Sequence, residues 1–122
     1  MKILSPHTKL NSIKRPWGYY TNLVNGNNTL TKLICVYPKQ RLSLQSHNHR
    51  SEHWTVIKGK GIIVLNEDKY VANLGQSFDI PLKAKHSLQN PYDEDLEVIE
   101  VQIGDHLSED DIVRYEDIYG RV

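Results

Sequence analysis

The sequence predicts an all-β fold, a closed barrel or a two-layer sandwich. Three observations carry that expectation. Short runs rich in β-branched and aromatic residues recur at near-even spacing. Turn words such as Asn25-Gly26-Asn27-Asn28, Gly59-Lys60-Gly61 and Asn66-Glu67-Asp68 separate them. Pro38 and Pro81 fall at the ends of such runs, where a strand must stop because proline has no N–H for the ladder.

Taken in order, residues 1–14 read as a polar N-terminal arm or edge strand. Arg15-Pro16-Trp17-Gly18 opens a single domain over 15–122. Trp17 and Tyr19 are expected to cap one end of a barrel, with Tyr20 facing the other way. Residues 29–37 alternate as a strand, and 42–47 form the next. A further strand covers 53–58. Residues 62–65 and 70–72 flank a turn and read as a hairpin. The chain returns through 75–80 and 85–89, turns at Asn90-Pro91-Tyr92-Asp93, and runs as a long strand over 96–103. The tail reads differently. Ser108 has the character of a helix N-cap, Asp111 sits at capping-box distance, and the acidic residues between suit a helix dipole. A short C-terminal helix of one or two turns is therefore expected, running through Glu116 or Asp117.

Composition narrows the function classes. Lys plus Arg balance Asp plus Glu at 15 each, so no basic stripe points to nucleic acid. No apolar run approaches the ~20 residues of a membrane helix, and the N-terminus does not read as a signal peptide. A single cysteine, Cys35, leaves no disulfide framework and reads as a buried, inert thiol. A cytoplasmic protein without nucleic-acid or membrane partners is the expectation.

Chemistry concentrates in Arg41 to Gly59, RLSLQSHNHRSEHWTVIKG. Gln45, His47 and His49 alternate, so an extended chain turns all three to one face. Glu52 follows nearby, and His86 lies in a later strand. Imidazole and carboxylate donors gathered on one side are what a first-row divalent metal takes. Glu100 shares its parity with Val98 and Gln102, which points it inward if that strand lines the core.

The words Q-x-H-x4-E-x6-G and G-x5-P-x4-H-x3-N, from Gln45 to Gly59 and from Gly75 to Asn90, resemble the two motifs of the cupin superfamily. With RPWG, IEVQ-x-G and EDDIVR-x-ED-x-YGR, the stretch from Arg15 to Arg121 resembles the type II phosphomannose isomerase domain that usually ends a bifunctional chain. The resemblance implies a double-stranded β-helix, or jelly-roll, barrel around one metal ion. It implies interconversion of mannose 6-phosphate and fructose 6-phosphate, with a small sugar phosphate as partner and a homodimer as assembly; the alternative readings are a non-catalytic sugar- or effector-binding cupin and another metal-dependent cupin enzyme, a different sugar isomerase or a dioxygenase. Implied metal ligands are Gln45, His47, Glu52 and His86. Type I phosphomannose isomerases also set a Gln-x-His pair on zinc, and zinc is the expected ion. Gln45 stands where the superfamily usually has histidine, so His49 remains the alternative fourth ligand. Glu100 and His49 are the candidates for the proton-transfer base. Arg41, Arg50 and Lys83 are candidates for gripping phosphate, Arg50 foremost because it lies in the family word HR-x-EHW. Lys39 and Lys83 stand where the motifs usually carry glycine, and Asn48 where relatives often have a third histidine. No Gly-rich nucleotide loop is present, so nucleotide-sugar synthesis is not expected of this chain.

Overall fold

A computed structural model describes residues 12–122. Twelve strands form among them: β1 (Ser12–Arg15), β2 (Gly18–Asn25), β3 (Thr29–Val36), β4 (Gln40–Arg41), β5 (Leu44–Ser46), β6 (Arg50–Lys58), β7 (Gly61–Leu65), β8 (Asp68–Ala72), β9 (Ser77–Ile80), β10 (His86–Asn90), β11 (Leu96–Gly104) and β12 (Val113–Glu116). They build two antiparallel sheets, ordered β1-β2-β3-β11-β6-β9 and β12-β5-β10-β7-β8, with β4 pairing β10 beside β5. The expected all-β, double-layered architecture is present. Most of the expected arm, residues 1–11, lies outside the described residues, and its last part joins β2 as the edge strand β1.

Strand parity explains the core. Along β6, Arg50, Glu52, Trp54 and Val56 are buried and the residues between them are more exposed. Along β11, Leu96, Val98, Glu100 and Gln102 do the same. One face of each strand thus turns between the sheets. At one end that interior is apolar, built on Trp54, Val56, Ile63, Leu88, Leu96 and Val98. At the other end the same inward parity delivers Glu52, Glu100, Gln102 and Arg50, so the fold buries polar groups where the strands run out of apolar residues.

Two expectations are corrected. No helix occurs among the described residues. Ser108 makes a local turn instead: its hydroxyl accepts the Asp110 N–H at 3.1 Å, and its carbonyl accepts the Asp111 N–H at 3.1 Å. The Asp111 carboxylate, which a capping box would use locally, accepts the N–H groups of Asn48 and His49 at 2.9 Å each. Residues beyond it pair with β5 as β12, a strand that suits Val113 and Tyr115. The aromatic assignment near the start is also reversed. Arg15 and Gly18 pair across a two-residue turn at Pro16-Trp17, which resets the alternation. Trp17 and Tyr20 therefore enter the core, and the half-buried Tyr19 packs edge-on against Tyr37.

The motif words mark backbone constraints. Asn90 is buried and its amide donates to the carbonyls of Val36 at 2.9 Å and Glu94 at 2.7 Å, tying the β10 turn to β3. Lys39 and Lys83 adopt φ of 65° and 66°, in the left-handed region that favours glycine. Gly59 adopts φ 73°, and a Cβ there would lie 2.5 Å from the Asp95 carbonyl oxygen. Gly59→Ala is accordingly expected to destabilise the fold by about 1–3 kcal/mol, as overpacking does. Thermal denaturation measures it, and an unchanged midpoint would contradict the close approach.

Candidate metal centre

The strands deliver four of the expected site residues to one place. His86 opens β10 directly opposite Gln45 on β5, and cross-strand partners share a face. His47 follows β5 at the same parity as Gln45. Glu52 comes from β6 in the facing sheet. The donor atoms of His47, Glu52 and His86 all lie within 4.8 Å of one another, and all three residues are buried. The two imidazole rings are 4.9 Å apart, centre to centre.

Hydrogen bonds fix how these donors point. His47 Nδ1 meets the Asp111 carbonyl at 2.6 Å, and His86 Nδ1 meets the Ala84 carbonyl at 2.9 Å. A carbonyl only accepts, so both rings carry their proton on Nδ1 and present an Nε2 lone pair. Those lone pairs face Glu52: His47 Nε2 is 3.3 Å from one carboxylate oxygen, and His86 Nε2 is 3.7 Å from the other. Burial, reinforced by the Arg50 charge and the neighbouring His86, lowers the His47 pKa to about 4. Burial lowers that of His86 as well. Both are neutral at pH 7, the state that coordinates a cation. His86 Nε2 is buried with no hydrogen-bond partner. An unpaired buried acceptor aimed at a carboxylate is costly on its own, and a divalent ion between them satisfies all three donors. The residues present fit a metal.

Arg50 completes the cluster. Its Nε donates to Glu52 at 2.8 Å, a terminal nitrogen donates to His47 Nε2 at 3.2 Å, and another reaches the Ser108 carbonyl at 3.2 Å. Trp54 Nε1 donates to the second Glu52 oxygen at 3.0 Å. The Gln45 side-chain oxygen accepts the Ser43 hydroxyl at 3.1 Å.

The cluster abuts, through His47, a small cavity of about 110 Å³. Gln45, His47, Arg50 and Glu100 line it. Glu100 is 5% exposed, and Gln102 donates to it at 2.7 Å. Burial first, then the Glu52 charge, raises its pKa to about 7. The remaining expected residues lie elsewhere. His49 is exposed, with its ring 5.4 Å from that of His106. The Arg41 side chain lies along a separate surface groove with Glu116 and Ile118. Lys83 meets the site only through its backbone, donating its N–H to the His47 carbonyl at 2.9 Å. Neither Arg41 nor Lys83 lines the cavity.

Sequence reasoning missed Lys32, Glu109 and Arg114, which also line it. Lys32 is directly opposite Glu100 in the β3–β11 ladder and 4% exposed. It pairs with Glu109 at 2.8 Å and lies 4.2 Å from the Tyr20 ring centre. Its parity with the apolar Ile34 and Val36 was the available signal. Cys35, by contrast, is the inert thiol expected: 1% exposed, with burial pushing its pKa up to about 11.

The family model described as mannose-6-phosphate isomerase C-terminal matches residues 4–117. The chain belongs to that family. It is 46% identical over 109 residues to the alginate biosynthesis protein AlgA of Pseudomonas syringae pv. tomato, covering 89% of this chain and 23% of that protein. It is 42% identical over 116 residues to the mannose-1-phosphate guanylyltransferase ManC of Salmonella typhimurium, covering 95% of this chain and 24% of that protein. The chain thus spans about a quarter of the length of these curated relatives. Among solved structures, the cupin domain of Schizosaccharomyces pombe Cnp3 superposes with a TM-score of 0.73 at 12% identity, covering 80% of this chain and 70% of that one. That likeness identifies the fold as a cupin. No helix among the described residues is long and apolar enough to cross a membrane.

Two outcomes test this family member's site. Added Co²⁺ or Zn²⁺ is expected to raise the melting temperature of the metal-free protein by mass action, and His86→Ala is expected to abolish the rise. Equal rises in both proteins would remove His86 from the ligand set. Glu100 bears on pH. Its folded pKa of about 7 exceeds the ordinary 4.5, so the folded state holds this proton more tightly than the unfolded chain. Its contribution is full below pH 4.5 and lost as pH rises through 7. Metal-free Glu100→Gln should therefore gain stability over the parent between pH 5 and 8, read by denaturation at each pH. A pH-independent difference would contradict the shift.

Proposed function

We propose that this chain is a metal-dependent sugar-phosphate isomerase that interconverts mannose 6-phosphate and fructose 6-phosphate. One observation carries the reading: the His47–Glu52–His86 cluster adjoins the same cavity wall as a buried carboxylate, Glu100, whose pKa is near 7. Membership of the isomerase C-terminal family supports it.

His47, Glu52 and His86 would hold one divalent ion, with Gln45 as fourth donor; zinc suits this nitrogen and oxygen set. Bound there, the ion supplies Lewis acidity toward a sugar carbonyl. Glu100 is the base that moves a proton between adjacent sugar carbons, and a pKa near the working pH suits a group that must both take and return it. Gln102 orients the Glu100 carboxylate through the 2.7 Å bond. Lys32 stabilises its ionised form from the opposite strand. Arg50 balances the Glu52 charge and braces His47. Trp17, Ile34 and Leu42 exclude water along the apolar part of the cavity.

A second reading, a sugar-phosphate-binding cupin without turnover, is favoured by one observation. Arg50 and Trp54 already occupy both Glu52 oxygens, and Ser43 occupies Gln45.

A coupled assay with mannose 6-phosphate on the metal-loaded chain separates the two. Turnover that is lost with chelator and restored by Zn²⁺ is expected. Glu100→Gln should keep its metal and lose ~10²–10⁴ in kcat, the range typical of acid–base catalysis. Saturable binding with no turnover would select the binder, and activity surviving both Glu52→Gln and His86→Ala would end the metal-isomerase reading.

A further inference from the structure

The cavity carries more positive charge than its known contacts use. Arg15, Lys32, Arg50, Arg114 and Arg121 line it, against the carboxylates of Glu100 and Glu109. Four of the five cations are engaged. Arg50 bonds Glu52, His47 and Ser108, and Lys32 bonds Glu109. Arg121 is clamped on Asp117 by bonds of 2.7 and 3.1 Å, and Arg15 lies 3.9 Å from Glu109. Arg114 differs. Among the described residues no carboxylate lies in ion-pair reach of it, and its Nε is buried with no hydrogen-bond partner. A buried guanidinium N–H without an acceptor is unfavourable unless a ligand supplies one.

The register gives this cation a defined relation to the metal cluster. Gln45 is opposite His86 on one side and opposite Arg114 on the other. The three side chains therefore share one face in a row across β10, β5 and β12. Two strand spacings separate the outer members, roughly 10 Å between backbones. That span is comparable to the reach of a six-carbon sugar phosphate from its carbonyl end to its phosphate. A guanidinium at the far end matches phosphate geometry with paired donors.

We propose that Arg114 anchors the phosphate group of the substrate, with the metal cluster at the opposite end of the His86–Gln45–Arg114 row. The assignment rests on the isomerase reading for the identity of the ligand as a sugar phosphate, and on the cavity itself for the identity of the anion site. The C-terminal strand is then part of the binding site, because pairing with β5 is what brings Arg114 into the cavity. None of the grip candidates drawn from the sequence has this combination of burial, orientation and unfilled bonding.

The test uses the full metal-loaded chain and its Arg114→Gln, Arg114→Lys and Lys58→Gln variants; Lys58 is an exposed cation far along β6. Inorganic phosphate is titrated calorimetrically, and isomerase kinetics are measured with mannose 6-phosphate. Arg114→Gln is expected to lose phosphate binding and to raise KM at least tenfold, at unchanged metal content and melting temperature. Arg114→Lys should recover part of the loss, and Lys58→Gln should match the parent. Should Arg114→Gln fail to fold, the lysine variant decides, since wild-type phosphate affinity and KM in that variant would overturn the paired-donor site. A folded Arg114→Gln with parental phosphate affinity and KM would overturn it too, leaving the isomerase reading intact if the parent turns over. Arg114-dependent phosphate binding in a parent that does not isomerise would uphold the anion site and remove the isomerase reading. A parent that binds no phosphate would overturn the site.

Discussion

Two imidazole lone pairs directed at one carboxylate, inside a water-poor interior, form an arrangement that cannot be neutral to its surroundings. Three electron-rich groups repel one another unless positive charge sits among them. The fold meets that demand in two ways. It supplies Arg50 from the same strand face as Glu52, and it leaves His86 Nε2 open to a cation. Much of the surrounding construction serves to hold this group of atoms. The Lys83 N–H ties down the His47 backbone, Asp111 binds the next two amides, and Trp54 holds the far oxygen of Glu52. Burial alone would raise the Asp111 pKa, yet the amides of Asn48 and His49 outweigh it and hold the carboxyl below its ordinary range.

The two ends of the β-sandwich divide the work. The apolar end has the ordinary driving force of buried hydrocarbon. The polar end gives up part of that gain and recovers it through satisfied networks: Lys32 with Glu109, Gln102 with Glu100, Arg50 with Glu52. The division follows from strand length. β6 and β11 are each nine residues long, enough for inward positions to reach both the core and the cavity. One pair of strands therefore fixes the site rigidly to the most tightly packed part of the molecule.

The legible part of this architecture was whatever depended on alternation within one strand. Gln45 and His47 at one parity, and Glu100 aligned with Val98 and Gln102, follow from the two-residue repeat of an extended chain. Gly59, Gly75 and Asn90 were legible only as motif positions; what Gly59 and Asn90 meet, the Asp95 and Val36 carbonyls, lies far along the chain. Pairing between distant strands was not legible. Lys32 shares the parity of Ile34 and Val36, but only the β3–β11 register places it beside Glu100. Arg114 reads as part of an acidic-headed helix, because Ser108 and Asp111 carry the residue types of a cap. Their hydrogen bonds go to Asp110 and to the loop after β5, and the helix loses its nucleus. The cations proposed from sequence were chosen by nearness along the chain to the histidines. Arg41 and Lys83 are near in that sense and still lie elsewhere: the break at Leu42-Ser43 separates Arg41 in β4 from the ligands of β5, and Lys83 sits in the turn between β9 and β10.

Both histidine tautomers are set by main-chain oxygens, those of Ala84 and Asp111. Every amino acid carries that same carbonyl. Replacement at position 84 therefore leaves the acceptor in place so long as the backbone path is kept, and neutral drift there can proceed without retuning the imidazole it orients. A centre whose outer supports are written in peptide bonds has fewer codons that can damage it.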